Sequence, residues 1–174
     1  MSIFNLLIVF IITTFLISGL LKVINLKSFI NLVHSYEILP KNFASIYGYT
    51  LPFIEIISPL LLINNRTFML GVLLVLLMLL SFGYAVTSII KDKKEITCGC
   101  YGKFIDAKAD HFTLVKIIII ATTVSLVSII QKQSHQINGS EVFFGILLAL
   151  LLLLVQGVWS FYQANNVLLN QLRR

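Results

Sequence analysis

Hydrophobic positions along this chain fall into five long runs separated by short polar stretches. Residues 3–21, 67–90 and 142–162 carry no charge, and residues 112–130 carry one, Lys116. Each is close to the ~20 residues that a helix rising ~1.5 Å per residue needs to cross a hydrocarbon core. The remaining run, residues 43–63, holds Pro52, Glu55 and Pro59 in a frame of Leu, Ile and Phe. Prolines free backbone carbonyls that must find partners inside the protein, which predicts a kinked helix packed against its neighbours, with Glu55 turned inward. The pattern predicts an all-α fold, a polytopic transmembrane helical bundle of five spans.

The polar stretches predict the connections. Residues 22–42 mix polar and apolar positions and end in Tyr36, Glu37, Ile38, Leu39 and Pro40, the pattern of a short amphipathic helix at the interface closed by a proline. Residues 64–66 read as a tight turn and residues 131–141 as a polar hairpin around Asn138 and Gly139. His34, Tyr36, Trp159 and Tyr162 are expected as interfacial packing residues, and Gly71, Gly83 and Gly145 as points of close helix approach. A cleaved leader competes for the first run, which ends in the small pair Ser18 and Gly19. No basic segment precedes Ile3 and the run is longer than a usual leader core, so a retained helix is expected.

Composition agrees with the pattern: 58% of the 174 residues are hydrophobic, 11% are charged, and the mean hydropathy is +0.97. A soluble domain does not have these values. The net charge of +6 is explained by anionic lipid headgroups beside a bilayer, and no nucleic-acid partner is expected. With five spans, Lys22, Lys27, Lys41, Lys91, Lys93, Lys94, Lys103, Lys108, Arg173 and Arg174 fall on one side, with Lys116 near it, against Arg66 and Lys132 on the other. The positive-inside bias would place the connection at 91–111 in the cytoplasm, although Asp92, Glu95, Asp106 and Asp110 leave it little net charge.

That connection, KDKKEITCGCYGKFIDAKADH, holds both cysteines of the chain, Cys98 and Cys100, separated by Gly99. Structural cysteines of membrane proteins are more often scattered through apolar helices as small hydrophobes. Two thiols this close can cycle between dithiol and disulfide if the backbone folds tightly, and Gly99 and Gly102 supply the conformational freedom for that turn. A ring so small is expected to be strained and easily reduced, which suits transfer better than stapling. Lys93, Lys94 and Lys103 favour the thiolate. The alternatives are a cysteine pair without chemistry, or a metal site completed by outside ligands. Zinc usually takes four ligands, and only His34 and His111 could join the cysteines, so no metal is assigned. Glu55, an ionisable group at membrane depth, could relay protons, satisfy groups freed by the prolines, or pair with Lys22.

The CGCYG segment before the fourth span resembles the CGC(F/Y)G signature of MauE-like membrane proteins. Ser18, Gly19, Leu20 and Lys22 are similar to the motif closing that family's first helix, Tyr36, Leu39 and Pro40 to its following loop, and Leu51, Pro52 and Glu55 to its second helix. The resemblance runs from about Ile12 to Thr123 and divides the chain into a four-helix unit at 1–131 and an added hairpin, fifth helix and basic tail at 132–174. It implies a bundle related to DoxX-like proteins, in a bacterial cytoplasmic membrane. There the protein would assist disulfide formation in an exported client together with a thioredoxin-like partner, as in methylamine utilisation. It also resembles vitamin K epoxide reductase in placing reactive cysteines near the start of a fourth helix.

Disulfide formation belongs outside the cytoplasm, so the resemblance places the loop opposite to the lysine count. With no third cysteine in the chain, electrons leaving the pair would need a quinone or a partner protein. The competing class is a non-enzymatic membrane scaffold or chaperone for a secreted protein. Intramembrane polar residues are too few for a transporter's substrate path.

Overall fold

A computed structural model describes residues 2–92, 111–130 and 138–172. Six helices account for nearly all of them: α1 (Ile3–Ile24), α2 (Leu26–Ser35), α3 (Lys41–Leu60), α4 (Phe68–Lys91), α5 (His111–Ile130) and α6 (Gly139–Leu172), with a 3-10 turn at Leu61–Ile63 ending the third. All but α2 are long and apolar enough to cross a bilayer, so the chain is a multi-pass helical membrane protein.

Why these residues are helical follows from the solvent. The stretch from Ile117 to Ile120 and on through Thr122, Thr123 and Val124 would favour a strand in water, because β-branched side chains lose rotamer freedom in a helix. In lipid every backbone N–H and C=O needs a partner within the protein, and a single helix supplies them all. The hydroxyls are absorbed the same way: Thr122 and Thr123 each donate to Ile119 O at 2.8 Å, and Thr14 donates to Phe10 O at 2.8 Å. Leu73, Leu77, Leu80, Ile118, Leu154 and Val158 stand exposed on the outside of the bundle, where acyl chains are their solvent.

Helix α3 is the hub, packing against α1, α2 and α4, while α5 lies on α4 and α1, and α6 lies on α1. Missing side chains set the closest approaches. A Cβ on Gly19 would stand 2.7 Å from Ile56 Cγ1 and 3.2 Å from the Pro52 carbonyl oxygen, so α1 and α3 meet almost backbone to backbone. Gly71 lets α4 close on the 3-10 turn, where a Cβ would come within 3.0 Å of Leu62. Gly145 does the same for α6 against Val9 of α1, with a Cβ at 2.6 Å. Gly83, expected as another such point, meets Ile117 at an ordinary 3.8 Å. Gly48, against Ile30 of α2 at 3.2 Å, takes a close approach that its sequence context did not mark.

Several boundaries differ from the hydropathy reading. Residues 22–42 do contain a helix, but α2 turns Phe29 and Val33 into the core against α3, and His34 is bonded to Ser45 at 3.0 Å. It is a second layer on α3 as much as an interfacial helix. The chain then reverses through Glu37, which adopts φ 54°, before Pro40 opens α3. The turn at 64–66 forms as expected, with Thr67 N donating to Asn64 O at 3.0 Å.

Glu141 is not part of a polar hairpin. It lies in the first turn of α6, 1% exposed. Its carboxylate accepts from the backbone N–H of Ser2 at 2.6 Å, from Asn5 Nδ2 at 2.8 Å and from the Asn138 N–H at 3.1 Å. One side chain thus caps its own helix and holds the start of α1. Glu141→Ala should lower the melting temperature in detergent by a few degrees and speed proteolysis within α6, with the first four spans persisting as a protected fragment. Unchanged melting and cleavage would refute the clamp.

Candidate functional site

Charge and polarity gather in one layer of the described bundle, level with the last two turns of α1 and the second turn of α5. Glu55, on the inward face of α3, is 2% exposed and Lys22, on α1, is 1% exposed. Lys22 Nζ donates to Glu55 Oε2 at 2.5 Å, and Ser18 Oγ donates to Glu55 Oε1 at 2.6 Å. Ser18 and Lys22 are one helical turn apart, so both reach the same carboxylate. The ammonium also stands 4.4 Å from the Phe82 ring centroid and 5.3 Å from that of Phe29, within range of cation–π attraction. Two of the three roles open to Glu55 in the sequence concern its partners, and the structure brings it to Lys22.

This position corrects the reading of Lys22 as a loop charge at the end of the first span. Phe82, beneath the ammonium, lies near the middle of α4. Nine residues separate it from Lys91, which at ~1.5 Å per residue is about 14 Å of depth. Lys22, 1% exposed, therefore contributes nothing to a surface charge count, whereas Lys116, partly exposed in the second turn of α5, keeps its place near that surface. The Lys116 ammonium donates to Gln156 Oε1 at 2.6 Å, joining α5 to α6. A cavity of about 50 Å³ connects the two polar pairs, lined by Ser18, Lys22, Glu55 and Lys116 among apolar neighbours. It has room and polar partners enough for water. With Lys22 removed, the remaining basic residues still favour the side bearing residues 91–111.

Other polar groups at membrane depth are paired across helices: Tyr47 with Ser81 at 2.7 Å, and Ser58 with Met78 Sδ at 3.7 Å. Near the end of α5 that follows the cysteine connection, Phe112 stacks on Trp159 of α6 at 4.9 Å between centroids, and Trp159 continues to Tyr162 at 5.6 Å. Trp159 and Tyr162 thus pack on one another within α6, which continues to Leu172.

Cys98, Gly99, Cys100 and Gly102 lie outside the described residues, as do His135 and Lys93, Lys94 and Lys103. The connection that contains the cysteines leaves α4 at Lys91 and enters α5 at His111. Gln156 and Glu141 were missed as site residues by the hydropathy reading. The signal for Gln156 was nevertheless present, because a lone amide inside an otherwise apolar span needs a partner that only another helix can offer.

No curated protein and no solved structure matches the chain. The family model described as methylamine utilisation protein MauE matches residues 1–130, which takes in α1 to α5, the Lys22–Glu55 pair and the cysteine connection. Three quarters of this five-span membrane protein fall within that match, and the chain belongs to the MauE family of membrane accessory proteins, named for methylamine utilisation.

Proposed function

We propose that the chain is a membrane thiol-disulfide redox accessory protein, with Cys98 and Cys100 as its exchanging pair and Gly99 and Gly102 forming the turn that holds them. What carries the reading is that a MauE-family chain places its two cysteines, and no others, in the polar connection between its third and fourth spans. The thiolate of one cysteine attacks a partner disulfide, releasing one partner sulfur as a thiolate and forming a mixed disulfide. The other cysteine then attacks that bond. Two electrons pass to the partner, which leaves as a dithiol, while this chain keeps the disulfide. Run in reverse, the same steps oxidise a client and return Cys98 and Cys100 as thiols, which a quinone or thioredoxin-like protein must then reoxidise. Work on an exported client requires the connection to face away from the cytoplasm.

Within this reading the buried Lys22–Glu55 pair holds the first two spans in register. Glu55→Gln tests whether it also moves protons, since the amide retains hydrogen bonding without charge. Redox turnover equal to that of the parent chain excludes a relay.

Cys98→Ser and Cys100→Ser, made separately, test the exchange. The variant lacking the resolving cysteine should accumulate a mixed disulfide with another polypeptide that reducing agent releases, and the other variant should not. Absence of any adduct in both, with client maturation intact, would favour a scaffold whose cysteines serve conformation only.

A further inference from the structure

Polar groups from three helices meet at the cavity of about 50 Å³: Ser18 and Lys22 of α1, Glu55 of α3 and Lys116 of α5, with apolar walls that include Phe15 and Leu79. Ser18 and Lys22 donate to different oxygens of Glu55, and Lys116 donates to Gln156 of α6. Two ammoniums and one carboxylate thus border the same small space.

Size and lining decide what such a space holds. A water needs about 10–15 Å³ and two to four polar partners, and this cavity offers both. Walls that carry both signs of charge disfavour a free ion of either sign, and the volume excludes most organic ligands. An ammonium has three donors and each carboxylate oxygen two lone pairs, so a water that accepts from Lys116 can donate to Glu55. Charges linked in this way between apolar walls attract one another with less screening than on an open surface.

We propose that this cavity is a water site, and that its water makes Lys116 a second counter-charge for Glu55. The network then runs from Gln156 through Lys116 and the water to Glu55, Lys22 and Ser18, and ties α6 and α5 to α3 and α1. It fixes the second turn of α5, which follows the cysteine connection, to the first two spans. The site goes beyond the cysteine chemistry and stands without it.

A double-mutant cycle on the purified full-length protein in one detergent tests the link. Lys116→Met leaves the Gln156 oxygen without its ammonium in any background, so that loss cancels between backgrounds. In Lys22→Met, where Glu55 has only Lys116 as a counter-charge, the same substitution should lower the melting temperature by at least about 2 °C more than it does in the parent chain. Equal losses in both backgrounds would overturn the second counter-charge. Thr14 lines the cavity and its hydroxyl bonds only back to Phe10 O among the described residues, so Thr14→Leu fills the space while Thr14→Val leaves it open. The extra loss should vanish with the leucine and persist with the valine. A loss undiminished by the leucine would mean that lysine and carboxylate touch directly, and would overturn the water site. Infrared spectra give a reading on chains that keep both lysines. A water O–H band that shifts in water labelled with the heavy oxygen isotope should be present in Thr14→Val and missing from Thr14→Leu. Identical spectra for the two would show a dry cavity and refute the proposal.

Discussion

Glu55→Ala is expected to destabilise the folded bundle by about 3–5 kcal/mol, because it leaves the Lys22 ammonium buried without its counter-charge. The loss is asymmetric. Ser18 can turn to a backbone carbonyl, as Ser125 does toward Ala121 at 2.9 Å, but the buried ammonium is left with the faces of Phe29 and Phe82 and the small cavity. Replacing both partners, Lys22→Met with Glu55→Leu, removes the two desolvation penalties together and should recover much of the loss. Thermal melting of the purified protein in one detergent distinguishes the cases. If the single substitution melts with the parent chain, or the double one melts below it, the pair is not what holds α1 to α3.

Gly19→Leu should be the most damaging substitution of a single small residue. A Cβ at position 19 already falls 3.2 Å from the Pro52 oxygen and 3.4 Å from the Ile56 nitrogen, and backbone atoms cannot step aside as the Ile56 side chain can. Gly19→Ala should cost about 1–3 kcal/mol as overpacking. The leucine forces the two helices apart and carries Ser18 and Lys22 away from Glu55, adding the ion-pair loss to the steric one. Melting temperature and yield of folded protein should fall in the order glycine, alanine, leucine. Equal stability of glycine and leucine would mean that α1 and α3 are not in direct contact there.

Much of this was legible in the amino-acid order. Five runs of apolar residues predict five spans, and the observed helices follow them within a few residues except where α6 continues to Leu172. Helix is the necessary state for Ile117 to Ile120 whatever their propensity, since lipid offers the backbone no partner. A carboxylate between two prolines in an apolar frame predicts an inward-facing group for the same reason, and Glu55 is one. The CGCYG segment and the residues around Ser18, Pro40 and Pro52 pointed to the MauE family, which the match over residues 1–130 shows.

The order of residues could not say which charges are paired. Lys22 stands where a hydrophobic run ends, so hydropathy ends the span there and counts the lysine as a surface charge. Only the packing of Gly19 on Pro52 and Ile56 brings it under Glu55. Lys116 and Gln156 are 40 positions apart and have no periodic relation, and Glu141 meets Ser2 and Asn5 across almost the whole chain. Such contacts depend on which helices are neighbours, a choice made by the close fit of small residues at Gly19, Gly71 and Gly145. One-dimensional patterning determines what must leave water. The three-dimensional arrangement decides which buried polar groups satisfy one another.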